Sequence, residues 1–338
     1  MKQVVWIISE GSPGHISQSE GFVAALARRV NLESTIIQTR PKLNGLARKL
    51  VRLWMGNRGL PDCFIKHWLR CEIPASKPDL IVASGGKAVF AARGLALKTG
   101  APLVFLGERK PYPSEWFHTV FTPSSLETAG NDVPVEMIPT GVTPELVNAA
   151  AAGWQERPAG KLWAMIIGGA SASHDFTAAD WRSLGEQMNV LATKHDIRWL
   201  VSTSRRTGAR AEDLLRKALD PQHVARAVWW AEKPEKKMAV FLGSAERVFV
   251  TQDSVTMVTE AVAAGRPVFA VRPEKTTFAA DSFLPGYFKN LETRKRIVRV
   301  AISELAAFEP GVASFESRLV PIESELVSIL LDRGALFI

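Results

Sequence analysis

The residues best placed to do chemistry sit in short polar turns that close buried apolar runs. Val248-Phe249-Val250 ends in Thr251-Gln252-Asp253-Ser254, and Val255, Val258, Val262 and Ala263 follow at helical spacing. Gly265-Arg266-Pro267 stops that helix and Val268-Phe269-Ala270-Val271 opens another strand, so residues 246–271 read as one β-α-β unit. Backbone N–H groups converge at a strand-to-helix turn, and the helix dipole favours negative charge there, which suits a phosphate. Glu260 lies on the same helix, one turn beyond Thr256. A capped helix with Asp253 or Ser254 as N-cap and no ligand explains the same residues, and both readings stand at this point.

Five more turns carry similar chemistry. Gly168-Gly169-Ala170-Ser171 and Ser202-Thr203-Ser204-Arg205-Arg206 offer N–H groups, hydroxyls and two guanidinium groups. That inventory fits a diphosphate better than a neutral ligand; surface solubility is the alternative for the arginines. Gly11-Ser12-Pro13-Gly14-His15 follows the first apolar run, and an imidazole there accepts a hydroxyl proton or donates to a phosphate. Ser84-Gly85-Gly86-Lys87 either holds an anion, with Lys87 adding charge, or packs a helix tightly on a strand. In Glu108-Arg109-Lys110, Glu108 is a candidate general base and Arg109 a candidate anion clamp, against the plainer reading of a solvated charge run. Trp230 either stacks a flat base or fills a core. The Rossmann G-x-G-x-x-G, the Walker lysine motif, the G-x-S-x-G elbow and zinc-ligand spacings do not occur. His174-Asp175 adjoin, but nothing in the sequence indicates a partner nucleophile.

These turns need strands to present them. Apolar runs at residues 4–8, 34–38, 78–83, 102–106, 119–121 and 135–138 read as strands of a first half, with helices at 17–30 and 88–98 and a helical basic region up to about Arg70. An Ala/Gly/Pro-rich connection, 143–160, precedes a second half. There the strands are 162–167, 197–202, 227–230, 248–250 and 268–271, and the helices 178–195, 209–218 and 237–244. The tail from 291 to 331 reads as helical, with a break near Pro310. Strands alternating with helices imply parallel sheets covered on both faces, and ligands in such sheets bind at the carboxyl ends of the strands.

At 338 residues the chain exceeds one typical core, so two domains are expected. No apolar run approaches the roughly 20 residues that span a bilayer. The opening MKQVVWIIS reads as a first strand rather than a signal peptide. Cys63 and Cys71 have no zinc-type partners, and a reducing cytoplasm fits them. The net charge of +8 concentrates in Arg40, Lys42, Arg48, Lys49, Arg52, Arg58, Lys66 and Arg70, interleaved with Leu46, Leu50, Leu53, Trp54, Phe64 and Trp68. Such a segment suits an anionic membrane surface or glycolipid; no nucleic-acid module accompanies it, so nucleic acid is not an expected partner. A solvated helix face with core Trp and Leu residues is the alternative.

The chain resembles the mitochondrial-fission "elongated mitochondria" family, whose bacterial members are regarded as glycosyltransferases. The likeness rests on Gly14-His15 with Gln18 and Gly21, Pro78-Asp79 with Ser84-Gly85-Gly86, Ile167-Gly168-Gly169, Asp253 to Ala261, and Gly265-Arg266-Pro267-Val268. It is also similar to the wider GT-B glycosyltransferases. The resemblance implies two Rossmann-like doubly wound parallel-sheet α/β domains facing across a cleft. Their expected limits are residues 1–145 for an acceptor domain, 155–290 for a donor domain and 291–338 for helices packing back on the first. It implies transfer from a nucleotide-sugar, with no cofactor or metal, to a cell-envelope glycan or glycolipid, lipopolysaccharide core being the narrowest form. Ser254, Val255 and Thr256 would bind the diphosphate and Glu260 the ribose hydroxyls. Gly168, Gly169 and Ser171 would line the phosphate side, with Arg205 or Arg206 neutralising the departing charge. Ser204 and Trp230 complete the donor set, and Gly14, Gln18, Gly85, Gly86, Lys87 and Arg109 the acceptor side. His15, Glu108 and Asp253 are the catalytic candidates, Asp253 standing where such enzymes often carry Glu. A peripheral place on the cytoplasmic face of the inner membrane follows. A non-catalytic scaffold and a sugar-nucleotide epimerase are the other two expectations, since fold does not dictate activity.

Overall fold

The computed structural model describes residues 2–40, 45–55, 61–123, 130–280, 282–309, 315 and 322–336. Two compact units emerge, Met1–Gly141 with Val320–Ile338, and Val142–Leu319.

Unit 1 runs β1 (Gln3–Ser9), α1 (Pro13–Ala27), β2 (Leu32–Gln38), α2 (Gly45–Met55), α3 (Asp62–His67), β3 (Leu80–Ser84), α4 (Val89–Thr99), β4 (Leu103–Leu106), β5 (Thr119–Thr122) and β6 (Asp132–Pro134). All six strands are parallel, in the order β2-β1-β3-β4-β5-β6. Period-two alternation sends Trp6 and Ile8 to one face and Val5 and Ile7 to the other. The first face packs on α4 and on residues of α2 and α3, the second on Phe22 and Leu26 of α1. Both faces are covered, which is why these strands read as continuous apolar runs.

Unit 2 runs α5 (Pro144–Ala152), β7 (Leu162–Ile166), α6 (Ala178–His195), β8 (Arg198–Ser202), α7 (Ala209–Ala218), β9 (Val224–Val228), α8 (Met238–Ser244), β10 (Arg247–Thr251), α9 (Val255–Ala263), β11 (Val268–Arg272), α10 (Leu284–Thr293) and β12 (Val298–Ala301). This sheet is also parallel, ordered β12-β11-β10-β7-β8-β9. Trp163, Trp199, Phe249 and Phe269 form an aromatic layer beneath α6 and α7. The chain then returns to unit 1 with α11 (Ile322–Asp332), whose Leu326 and Leu330 are buried with Val5 and Ile7.

The expected doubly wound α/β architecture is present in each unit. Five local expectations change. The connection at 143–160 contains α5, capped by Thr143 and started by Pro144, and it packs on α8. The tail expected to be helical contains β12, an edge strand in register with β11; Pro310 lies outside the described residues. The last strand of unit 1 is 132–134 rather than 135–138, and β9 stops at Val228, which leaves Trp229 and Trp230 in the following turn. The helical basic region is two short helices, with Lys42, Arg58 and the Arg48 side chain outside the described residues.

Candidate functional site

Strand order fixes where each sheet opens. In unit 1 the chain winds from β1 to β2 on one side and crosses to β3 on the other, so β1 and β3 flank the switch point. In unit 2 the same reversal falls between β7 and β10. Loops diverge at such a point and leave a crevice at the strands' carboxyl ends. The Gly11–His15 and Ser84–Lys87 turns flank the first crevice, the Gly168 and Asp253–Ser254 turns the second.

In unit 2 the three turns after β7, β8 and β10 are knitted together at Gly168. Its N–H donates to Thr251 Oγ1 at 2.7 Å, and its carbonyl accepts from Thr207 Oγ1 at 2.8 Å and from the Ser204 hydroxyl. A side chain at Gly168 would meet the Asp253 carboxylate, and one at Gly169 (φ 131°) the backbone of Arg206 and Thr207. These glycines are therefore required for close packing of the loops on one another. Ser204 braces the same turn, accepting from the Arg206 N–H at 3.1 Å.

Arg206 bridges these turns. Its Nη2 lies 2.7 Å from Asp253 Oδ2, and its Nη1 donates to the Ala170 carbonyl at 3.3 Å. The Asp253 side chain is wholly buried, whereas Arg206 is about a third exposed. Neither Asp253 oxygen has a well-formed hydrogen bond. Burial pushes the carboxyl above its ordinary range, opposed by Arg206, the Thr251 hydroxyl and the Gly169 N–H. Arg205 is exposed. The Ser254 hydroxyl caps α9 by accepting from the Met257 N–H, and Val255, Thr256 and Glu260 lie half-buried on the first turns. The N–H groups of Val255 and Thr256 are among those a helix cannot pair internally. Trp230 is 38% exposed, not core, and its N–H donates to Thr203 Oγ1 at 2.8 Å.

Three buried polar groups here were given no role by the sequence. His174 is 1% exposed; its Nδ1 faces Ser173 Oγ at 2.9 Å and its Nε2 has no partner. Burial, then the charge of Arg206, lowers its pKa to about 4, so the ring is neutral. Ser171, expected on the phosphate side, accepts from the His174 N–H at 3.2 Å and so shapes this loop. Glu212 accepts from the Thr203 hydroxyl at 2.6 Å and from the Ala231 N–H at 3.2 Å, tying the β8 turn to the β9 turn. Gln252 is buried with Oε1 unpaired. The Glu212 contacts join turns that follow different strands, which no motif announces.

In unit 1, His15 stands in the first turn of α1 with Nδ1 against Glu10 Oε1. Glu10 is almost buried and was also missed; His15 is 38% exposed. A carboxylate on Nδ1 holds the proton there and leaves Nε2 as the basic nitrogen. Any side chain at Gly85 (φ 84°) would strike both partners, so the β3 turn seats the pair. Gln18 is buried, accepting from Ser84 Oγ at 2.7 Å, and Gly86 accepts from Tyr112 Oη at 2.6 Å; both hold the turns in shape. Gly14 is half-buried at the start of α1 and Lys87 is exposed. Glu108 is half-buried and accepts from the Lys110 N–H at 3.3 Å. Arg109, expected as an anion clamp, is instead paired with Asp132 on β6 at 2.9 Å and donates to the Tyr112 carbonyl, which commits its charge to the fold. Among the described residues, no group of three or more His, Cys, Asp and Glu forms a metal-ligand set, and no helix is long and apolar enough to cross a membrane.

The sequence pattern of the family described as "Mitochondrial fission ELM1" matches residues 13–307. The chain belongs to that family. No curated protein matches it. Among solved structures, UDP-GlcNAc 2-epimerase from Methanocaldococcus jannaschii, in complex with UDP-GlcNAc and UDP, is similar at 12% identity and TM-score 0.57, over 98% of this chain and 100% of that one. The Neisseria meningitidis UDP-GlcNAc 2-epimerase bound to UDP-GlcNAc is similar at 13% identity and TM-score 0.54, over 98% and 100%. ADP-heptose lps heptosyltransferase II of Escherichia coli matches at 12% identity and TM-score 0.48, over 98% and 100%. At such identities the epimerase likenesses establish the fold, a GT-B-like pair of Rossmann-type units, and the ELM1 family member shares it.

Proposed function

We propose that this ELM1-family protein is a glycosyltransferase that binds the diphosphate of a nucleotide-sugar in unit 2. It passes the sugar to a cell-envelope glycan or glycolipid, lipopolysaccharide core in the narrowest form, without a resident metal. One observation carries the reading: a partly exposed Arg206, the Ser254-capped first turn of α9 and a glycine-tight loop converge at the switch point of unit 2. Fixed N–H dipoles and a guanidinium there would take up the charge of a departing nucleoside diphosphate. The two similar epimerase structures hold UDP-GlcNAc, which supports a nucleotide-sugar as ligand.

In the reaction an acceptor hydroxyl attacks the anomeric carbon, the bond from that carbon to the diphosphate oxygen breaks, and the diphosphate leaves with the electron pair. His15 Nε2, poised by Glu10, takes the hydroxyl proton; Glu108 is the second candidate base. Asp253, wholly buried, holds Arg206 rather than meeting substrate. Glu260 and Trp230 would contact ribose and base. The protein would work at the cytoplasmic face of a membrane, with its 40–70 segment against anionic lipid.

A sugar-nucleotide epimerase is the second reading, favoured because the structures named above with TM-scores over 0.5 are epimerases. Incubation with a panel of nucleotide-sugars, with and without envelope glycan extracts, separates them. Nucleoside diphosphate released only with acceptor supports transfer, and an isomerised donor without acceptor supports epimerisation. Absence of thermal stabilisation by every nucleotide would mean a non-catalytic scaffold.

A further inference from the structure

α2 carries more apolar surface than its core needs. Met55 is fully buried, and Ala47 and Val51 pack on the same cluster. The adjacent arc is left bare: Leu46, Leu50, Leu53 and Trp54, at the helical spacing i, i+4, i+7, i+8, are 70, 59, 77 and 47% exposed. α3 extends the patch. Phe64 lies 6.5 Å from the Trp54 ring and stacks on Trp68 at 6.0 Å, and Trp68 is itself 52% exposed. Contiguous apolar surface of this kind marks an interaction site.

Lys49, Lys66 and Arg70, which adjoin these residues in sequence, are exposed, and Glu72 is the exposed carboxylate that follows them. Half-exposed indoles beside cations and bulky leucines match the water–hydrocarbon boundary of a bilayer. There the ring body sits among acyl chains and its N–H stays wet, while ammonium and guanidinium groups reach phosphate. We infer that the Leu46–Trp54 face of α2, with Trp68 of α3, inserts into the headgroup layer of an anionic lipid bilayer. It deepens the lipid contact of the proposed function and rests on that part of it; its test is separable from the sugar-transfer chemistry, because the observation lies in unit 1 and involves none of the nucleotide-site residues. It narrows the basic 40–70 segment to one helix face and one aromatic pair.

The test is co-sedimentation of the full-length protein with vesicles of phosphatidylcholine alone and of phosphatidylcholine mixed with phosphatidylglycerol. The expected result is binding to the anionic vesicles only, weakened by salt. In a Leu50→Glu/Leu53→Glu variant it falls at least about tenfold. In Lys66→Glu it falls roughly fivefold. Both variants should keep the parent's circular dichroism and melting temperature, because these side chains point to solvent. Brominated lipid should quench the parent's tryptophan fluorescence, and a Trp54→Phe/Trp68→Phe variant should lose that quenching. The inference is overturned if the parent ignores anionic vesicles or the leucine variant binds them equally. It is also overturned if light scattering shows a dimer that Leu53→Glu dissociates, since a second copy would then cover the face.

Discussion

Arg206 and the two groups it touches electrostatically, Asp253 and His174, form a small charge network whose parts titrate in opposite senses. His174 is held neutral in the fold, with its pKa lowered from 6.5 to about 4. Below pH 6.5 the unfolded chain takes up a proton that the fold refuses, so stability falls as pH drops through that window, by up to about 3 kcal/mol. A His174→Gln variant should melt with a shallower pH dependence between pH 6.5 and 4 than the parent. Asp253 behaves inversely. Its folded pKa is raised, so its penalty is absent in acid and grows as pH rises from the ordinary carboxylate range through the folded value. Asp253→Asn should therefore raise the melting temperature at neutral pH, with the gain fading in acid; an unchanged or lower melting temperature at neutral pH would contradict this. None of this network was visible as a motif. Arg206 and Asp253 were legible as polar residues at strand ends. The depth of Asp253 depends on three turns meeting at Gly168, and His174 is buried against Ser173 of its own loop and the Phe278 ring.

At the scale of elements, runs buried on both faces were readable because every residue in them is apolar, as in Leu80-Ile81-Val82-Ala83 and Val248-Phe249-Val250. β12 was not. Val298-Arg299-Val300-Ala301 is a short edge strand whose identity comes from pairing with β11, and its neighbours on both sides look helical. α5 was hidden for another reason: its alanines and flanking Gly and Pro resemble a linker, and its place is set by contact with α8. At that contact a side chain on Gly243 would meet the Val147 carbonyl. Gly243→Ala should thus destabilise unit 2 by about 1–3 kcal/mol, read by chemical denaturation. A neutral result would mean that α5 docks loosely. Arg266 of the Gly-Arg-Pro block braces the same corner, donating to Asn148 Oδ1 at 2.7 Å and to the Gly243 carbonyl at 2.9 Å. That block therefore has a structural reason beside any ligand.

For the whole molecule, the chain leaves unit 1 near Gly141 and returns to it with α11. Leu330 is fully buried among residues of β1, β3 and α1. Leu330→Ala should cost about 2–5 kcal/mol, with hydrogen exchange accelerated in β1 and β3 while β7 and β10 keep their protection. Equal acceleration in both sheets would show that the units do not unfold separately. Division of labour between the units is also what the functional account requires, with the nucleotide held in the second. Calorimetric titration of UDP, ADP and GDP into the full-length protein and into an Arg206→Ala variant tests that claim most directly. The account predicts that at least one nucleoside diphosphate binds the parent, and that the variant loses about tenfold or more in affinity, the weight of a charge-assisted contact. Failure of all three to bind, or equal affinity for parent and variant, would contradict it.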